Sequence, residues 1–171
     1  MEDIAAEVGL SKPALYLYFD NKDAIVAALM QRLFDLEVAD LRALEKVPGT
    51  VQDRLVAFHR IVLRQYESMA AHTPLMWEFY ALAMRDESVR RVVRDYFRAI
   101  RKRLEALIQQ GVDRRELRPV DPRAPAIALL AVYEGLAVLC MTDPHANKWK
   151  EQADEAVRLL LAGLKRGRST T

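Results

Sequence analysis

Lys12 and Tyr16 are the first residues of this chain whose types and spacing point to chemistry. They are four positions apart, so a helix would place their ammonium and phenol groups on one face. Leu15 and Phe19 have the same spacing and would share a different face, which is apolar and suited to packing. A short helix with one packed face and one face of hydrogen-bond donors could present those donors to a partner molecule.

The neighbouring residues predict a second short helix beside it. Residues 4–8 carry apolar side chains at helical spacing, and Gly9 follows where a helix can end in a left-handed backbone. Ser11 is a suitable N-cap, and Pro13 fits the first turn of a helix that begins at about Lys12. Two helices joined by such a turn form a helix-turn-helix, whose second helix enters the major groove of DNA. Spacing alone is weak evidence, because helical hairpins also occur in proteins that bind no DNA.

The particular residues are more specific than the spacing. The run MEDIAAEVGLSKPALYLYFDNKDAI resembles the helix-turn-helix of the TetR family of bacterial transcriptional regulators, including Gly9, the segment from Leu15 to Phe19, and Lys22. The resemblance implies base-facing positions at Lys12, Pro13 and Ala14, and phosphate-facing positions at Ser11, Tyr16, Tyr18 and Lys22. These roles suit the residue types, since lysine donates to guanine, proline and alanine contact thymine methyl groups, and tyrosine hydroxyls bond phosphate oxygens.

The family pattern also predicts how the chain divides. Members begin with an additional helix before this motif, whereas this sequence opens at Met1 inside the first motif helix. We therefore expect residues 1–24 to be a partial helix-turn-helix domain without the family's first helix, and residues 25–171 to be a ligand-binding and dimerisation domain. Met1 as the true start and Met1 as an internal residue of a longer chain both stay open.

Composition is compatible with a protein that has a substantial core. The chain has 171 residues, of which 51% are hydrophobic, and a net charge of +2 that is too small to decide its partners. A single cysteine, Cys140, suits a reducing cytoplasm, and no secretion signal is visible. Residues 124–141 are apolar over about the length of a membrane span, but Glu134 lies near their middle, so we predict a buried helix and a cytoplasmic protein.

Caps and helical spacing predict an all-α fold. A long helix should begin at Lys22, with Ile25, Leu29, Leu33 and Leu36 on its apolar face, and run to about Leu44. Further helices should follow the Thr50/Asp53 capping box, Pro74, Asp86, Pro122 and Lys148. The helix after Pro74 should be buried on nearly all sides, and the helix after Asp86 should end at Gly111. No β-alternation is long enough to predict a strand.

The last two helices are the candidates for a dimer interface. This succession of helices also resembles the ligand and dimerisation domain of the TetR family, which implies a four-helix bundle between two copies and two recognition helices on an inverted repeat. An apolar helix with several small residues needs close neighbours on more than one side, and a partner chain would supply them. The candidate interface residues are Ala131, Gly135, Val157, Leu160 and Leu164.

Aromatic and polar residues on inward faces define a candidate ligand pocket. Its candidates are His59, Tyr66, Trp77, Tyr80, Met84, Tyr96, Tyr133 and Glu134. Ligand cavities are mostly apolar with a few placed polar groups, although for any single aromatic residue ordinary core packing is the better explanation. Glu134 is the most informative, because a carboxylate on an apolar helix needs a partner such as Arg, Tyr, His or a cationic ligand.

An enzyme is not expected. The three histidines, His59, His72 and His145, occur singly without metal-ligand spacing, and no glycine-rich phosphate loop is present, so we predict neither a metal nor a cofactor. The sequence predicts a ligand-responsive transcriptional regulator, a repressor released from an inverted-repeat operator by a small apolar effector. The alternative is a helical dimeric ligand-binding or interaction protein that does not bind DNA.

Overall fold

Within residues 1–69, 73–143 and 148–166, which the computed structural model describes, the chain consists of helices and contains no strand. The helices are α1 (Glu2–Glu7), α2 (Lys12–Tyr16), α3 (Lys22–Asp40), a 3-10 helix (Leu41–Lys46), α4 (Val51–Met69), α5 (Thr73–Ala83), α6 (Glu87–Asp113), α7 (Arg123–Thr142) and α8 (Trp149–Leu164). The predicted all-α fold is confirmed.

Side-chain caps begin α2 and α3 where the sequence predicts them. The Ser11 hydroxyl accepts a hydrogen bond from the Ala14 N–H at 3.3 Å, and the Asn21 side-chain oxygen accepts one from the Ala24 N–H at 2.8 Å. Each cap satisfies a backbone donor that the first turn of a helix leaves unpaired. Gly9 has a φ of +67°, the left-handed conformation that the turn between α1 and α2 requires.

A capping box fixes the start of α4. The Asp53 carboxylate accepts a hydrogen bond from the Thr50 N–H at 2.8 Å, and the Thr50 hydroxyl accepts one from the Asp53 N–H at 3.2 Å. The Thr50 hydroxyl also donates to the same carboxylate at 2.7 Å, and these bonds lower the pKa of Asp53. Reciprocal bonds of this kind position the chain entry into a helix.

The apolar face predicted for α3 is only partly correct: Leu33 is half-buried and packs against the core, but two of the predicted residues are exposed. Leu29 and Leu36 are 46% and 47% exposed, whereas Met30 and Phe34 are 0% and 2% exposed. Apolar residues surround much of this helix, so spacing could not identify the face that packs, and the contacts with α5 and α6 select it. The helix also ends earlier than predicted, at Asp40, and a 3-10 helix continues to Lys46.

Two buried clusters hold the helices together. Met30 and Phe34 of α3 pack with Phe79 of α5 and Val89 of α6, so these three helices share one cluster. The larger cluster lies among α4, α6, α7 and α8, and it contains the fully buried Phe58. Burying one such side chain contributes roughly 1.5 to 3 kcal/mol to folding.

Helices α5, α6 and α7 depart in detail from the predictions. Helix α5 is buried on one side only, because Trp77 and Glu78 are exposed. Helix α6 continues through Gly111 to Asp113, and Gly111 is needed for close packing, since a Cβ there would lie 2.7 Å from Leu117 Cδ1. Helix α7 is long and apolar enough to cross a membrane by length and composition, and here it packs against α6 and α8.

Candidate functional site

Helices α1 and α2 form the predicted helix-turn-helix. Ala5 of α1 and Leu15 of α2 are buried, at 3% and 5% exposure. The small side chain of Ala5 lets the two helices approach closely. Packing on this side leaves the opposite side of α2 directed outward, which is the arrangement that a recognition helix needs.

Most of the proposed DNA-facing residues lie on the surface. Ser11, Lys12, Pro13, Tyr16, Tyr18 and Lys22 are exposed, and Ala14 is half-buried. Tyr18 is 76% exposed, which is high for a large aromatic residue. An exposed group of tyrosines and lysines is well suited to phosphate and base contacts.

Lys12 is paired within the motif. Its Nζ lies 2.8 Å from Glu2 Oε1, and this ion pair raises the pKa of Lys12 and lowers the pKa of Glu2. Both side chains are exposed, so water screens the pair and it contributes little to stability. Lys12 must exchange Glu2 for a base edge if it reads DNA.

Helix α3 connects the motif to a cavity among the later helices. It begins at Lys22, directly after the motif, and its later residues Phe34 and Glu37 line the cavity wall. Leu41, the first residue of the 3-10 helix, lines the same cavity. One continuous helix therefore extends from the helix-turn-helix to the cavity.

The cavity has a volume of about 690 Å³ and is lined mainly by aromatic and aliphatic side chains. Its lining residues are Phe34, Glu37, Leu41, Phe58, Val62, Gln65, Tyr66, Glu67, Met76, Tyr80, Tyr96, Phe97, Ile100, Leu130, Tyr133, Glu134, Ala137, Cys140, Trp149 and Lys150. This size and composition are typical of a small-molecule site.

Two carboxylates distinguish the cavity from ordinary core. The Tyr96 hydroxyl donates to Glu37 Oε2 at 2.5 Å, and Tyr80 hydrogen-bonds Glu134. Burial, together with the nearby charge of Glu37, raises the pKa of Glu134 to about 7. Burial and the same carboxylates raise the pKa values of Tyr80 and Tyr96, so both phenols stay protonated and can donate.

Five of the eight predicted pocket residues line this cavity, namely Tyr66, Tyr80, Tyr96, Tyr133 and Glu134. Trp77 and Met84 lie elsewhere, at 39% and 76% exposure. Their side-chain types on an apolar segment suggested the pocket, but the α5 residues that line the cavity are Met76 and Tyr80. The sequence reasoning missed Glu37, whose signal was a carboxylate on the same side of α3 as the buried Phe34.

His59 is also not a lining residue. Its ring is buried, with Nδ1 at 3.1 Å from the Tyr133 hydroxyl and Nε2 at 2.6 Å from Asp154 Oδ1. Both ring nitrogens therefore have partners, and the histidine ties α4 to α7 and α8. No group of His, Cys, Asp and Glu within the described residues could hold a metal ion, and His72 and His145 lie outside those residues.

The exposed side of α7 is largely apolar, and Leu159 is an exposed apolar residue of α8. Ala131 and Gly135, two of the predicted interface residues, lie on this side of α7, and a Cβ at Gly135 would meet no atom of this chain. The larger exposed apolar side chains of the two helices are Ile127, Val138, Leu139 and Leu159. We call these exposed residues the α7/α8 face: Ile127, Ala131, Gly135, Val138 and Leu139 of α7, and Leu159 of α8.

The α8 residues predicted for the interface need correction. Val157 and Leu164 are 2% and 4% exposed and belong to the core of the single chain, and Leu160 is half-buried against that core. Spacing placed them correctly on the apolar side of α8, but α4 and α7 already cover that side. Leu159 is the α8 residue that faces outward.

An exposed helix-turn-helix joined by one helix to a ligand-sized cavity defines the class of helix-turn-helix regulators with a separate sensing domain. The family model for bacterial regulatory proteins of the tetR family matches residues 1–29, and the model for the C-terminal domain of BetI-type transcriptional repressors matches residues 51–166. The chain belongs to the TetR family. Its matched families are named for regulators, which agrees with a non-enzymatic role.

Curated relatives are likewise described as HTH-type transcriptional regulators. The HTH-type transcriptional regulator BetI of Rhizobium meliloti is 31% identical over 105 residues, which cover 61% of this chain and 51% of that protein. The uncharacterized HTH-type regulator YfiR of Bacillus subtilis is 25% identical over 130 residues, which cover 72% of this chain and 60% of that protein. The matched part thus spans between half and two thirds of these relatives.

Solved structures share the fold. A TetR transcription regulator from Haloarcula marismortui superposes with a TM-score of 0.85 at 22% identity, covering 95% of this chain and 85% of that chain. A transcriptional regulator from Saccharomonospora viridis, solved in complex with choline, superposes with a TM-score of 0.84 at 17% identity, covering 97% of this chain and 86% of that one.

Proposed function

We propose that this protein is a ligand-responsive transcriptional regulator that represses by binding DNA and is released by a small molecule. The observation that carries the proposal is the continuity of α3, which begins at the motif with Lys22 and lines the cavity with Glu37. A ligand that prefers one position of α3 changes the position of the motif and hence its affinity for DNA. The tetR-family match over residues 1–29 favours this function over a helical binding protein without DNA binding.

In the DNA complex, α2 enters the major groove. We assign base contacts to Lys12, Pro13 and Ala14, and phosphate contacts to Ser11, Tyr16, Tyr18 and Lys22. The exposure of all these residues except the half-buried Ala14 supports these roles. Residues 1–24 then act as the DNA-reading part and residues 25–171 as the sensing and dimerisation part, in the cytoplasm where the DNA lies.

The functional unit is a homodimer on an inverted repeat. Two copies joined through the α7/α8 face form a four-helix bundle, and a two-fold axis relates their recognition helices. Exposed apolar side chains around Ala131 and Gly135 support this interface, since such patches on soluble proteins mark association sites.

A single substitution tests the dimer. Gly135→Leu should yield monomers by light scattering, because the leucine would fill the space that the partner helix occupies, while the open space around Gly135 in one chain lets the variant fold. Ala81→Leu, which adds the same side chain on the exposed side of α5, is the control and should stay dimeric. An unchanged mass for Gly135→Leu would exclude Gly135 from the interface.

The effector is a small organic cation with apolar groups, which differs in charge from the apolar effector expected from the sequence. Glu37 and Glu134 supply negative charge inside the cavity, and Tyr66, Tyr80 and Tyr96 supply aromatic rings around it. Aromatic rings and carboxylates together recognise ammonium groups through cation–π and ionic attraction. The choline bound to the structurally similar regulator from S. viridis supports this class.

Selection of binding sites from random duplexes tests the function. It should enrich an inverted repeat, either with this 171-residue chain or with one extended upstream, and choline should release the protein from that duplex. Lys22→Ala should then weaken binding to all duplexes alike, whereas Lys12→Ala should cost roughly 1 to 3 kcal/mol mainly at one base position. Lys102→Ala, an exposed lysine of α6, is the control. No enrichment by either chain would refute the regulator.

A further inference from the structure

Glu37 and Glu134 bring two carboxylates into one cavity from different helices. Glu37 belongs to α3 and Glu134 to α7, and both line the same space. Each is approached by a tyrosine hydroxyl, since Tyr96 donates to Glu37 at 2.5 Å and Tyr80 hydrogen-bonds Glu134. Like charges in a low-dielectric cavity oppose each other's ionisation.

The other titratable groups that line the cavity include one cation, and it is paired with a third carboxylate. They are Tyr66 and Glu67 of α4, Tyr80 of α5, Tyr96 of α6, Tyr133 and Cys140 of α7, and Lys150 of α8. Lys150 is the cation of this set, and its ammonium group is paired with Glu67. The phenols are neutral donors. Thus the described lining residues give the region of Glu37 and Glu134 an excess of negative charge.

We propose that Glu37 and Glu134 share one proton in the ligand-free cavity and that a cationic effector replaces this proton. Because Glu37 is a residue of α3, the replacement changes the position that α3 favours. The proposal rests on the proposed function and adds to it a proton-linked mode of sensing. Proton and effector compete for the same negative charge, so binding one releases the other.

The position of Glu37 explains why the exchange reaches the DNA-reading motif. Phe34, one turn earlier on α3, stacks on Tyr96 with ring centroids 3.9 Å apart, and the Tyr96 hydroxyl bonds Glu37. Two adjacent contacts therefore hold α3 against α6. A cation between the carboxylates attracts Glu37 toward α7 and competes with its bond to Tyr96, so the bound and free states favour different positions of α3.

Calorimetric titration of choline into the full chain tests the exchange. Because the pKa of Glu134 is about 7, choline should bind about tenfold more weakly at pH 6 than at pH 8. At pH 6 binding should release close to one proton, measured as the dependence of the heat on the ionisation enthalpy of the buffer. Equal affinity at both pH values, or no binding of choline or tetramethylammonium at pH 8, would overturn the proposal.

Glu37→Gln separates the role of Glu37 from general disruption. Loss of the neighbouring charge lowers the pKa of Glu134, so the pH dependence of choline binding should move to lower pH, and choline should no longer release the protein from DNA. Asp35→Asn on the exposed side of the same helix is the matched control and should behave as wild type. Wild-type pH dependence and DNA release in Glu37→Gln would refute the role of Glu37. Failure of the proposed function is distinguishable, because it appears as the absence of any enriched duplex.

Discussion

Glu134→Gln should stabilise the ligand-free protein, and more so as the pH rises. The pKa of Glu134 is raised from 4.5 to about 7, mainly by burial. A raised acid pKa means that the folded state holds its proton more tightly than the unfolded chain does. The free energy of unfolding is therefore highest below pH 4.5 and falls as the pH rises through 7.

The magnitude follows from the two pKa values. Each pKa unit is worth about 1.36 kcal/mol, so ionising this mostly buried carboxylate costs the folded state roughly 3 kcal/mol at pH 8. Glutamine has nearly the same shape, carries no charge, and keeps an oxygen that can accept a hydrogen bond from Tyr80. The stabilisation by Glu134→Gln should thus grow by roughly 2.5 kcal/mol between pH 5 and pH 8.

Urea denaturation followed by circular dichroism at both pH values measures this difference. Glu78→Gln is the control, because Glu78 is exposed on α5 and should show the same small effect at pH 5 and pH 8. An effect of Glu134→Gln that is equal at the two pH values, or a loss of stability at pH 8, would refute the reasoning.

Three further predictions concern the scaffold that positions the site. Gly111→Ala should lower the free energy of unfolding, measured by urea denaturation, by roughly 1 to 3 kcal/mol, because the new Cβ would lie 2.7 Å from Leu117 Cδ1. An unchanged free energy would mean that the Leu117 side chain moves aside without cost. Asn21→Ala should lower it by roughly 1 kcal/mol through loss of the α3 cap, whereas Asn21→Ser should restore most of it. Tyr133→Phe should lower the free energy of unfolding by roughly 1 to 3 kcal/mol, because Nδ1 of the buried His59 loses its hydrogen-bond partner, the hydroxyl at 3.1 Å. An unchanged stability in thermal denaturation would argue against that hydrogen bond.

The proposed class of ligand depends on the charge and the aromatic rings of the cavity. Aromatic rings and carboxylates are features of this chain, whereas the 17% identity to that regulator supports the fold alone. The proposed effector class therefore depends on Glu37, Glu134 and the tyrosines around them. Substituting these residues tests the effector independently of the similarity.

The sequence by itself determined the local elements. Caps such as Ser11, Asn21 and Asp53 fixed where helices begin, because a cap bonds backbone groups only two or three residues away. The helix-turn-helix was also readable, since its turn, its caps and its packing pair Ala5 and Leu15 all lie within a short segment.

Only the tertiary structure decided which side of each helix packs and what the packed sides enclose. Helix α3 has apolar residues around much of its surface. Its contacts with α5 and α6 determine that Met30 and Phe34 are buried and that Leu29 and Leu36 are exposed. The same orientation of α3 places Glu37 in the cavity. Glu134, which is 97 residues away in the chain, lines the same cavity. Spacing describes one helix at a time, and a cavity exists only where several helices meet.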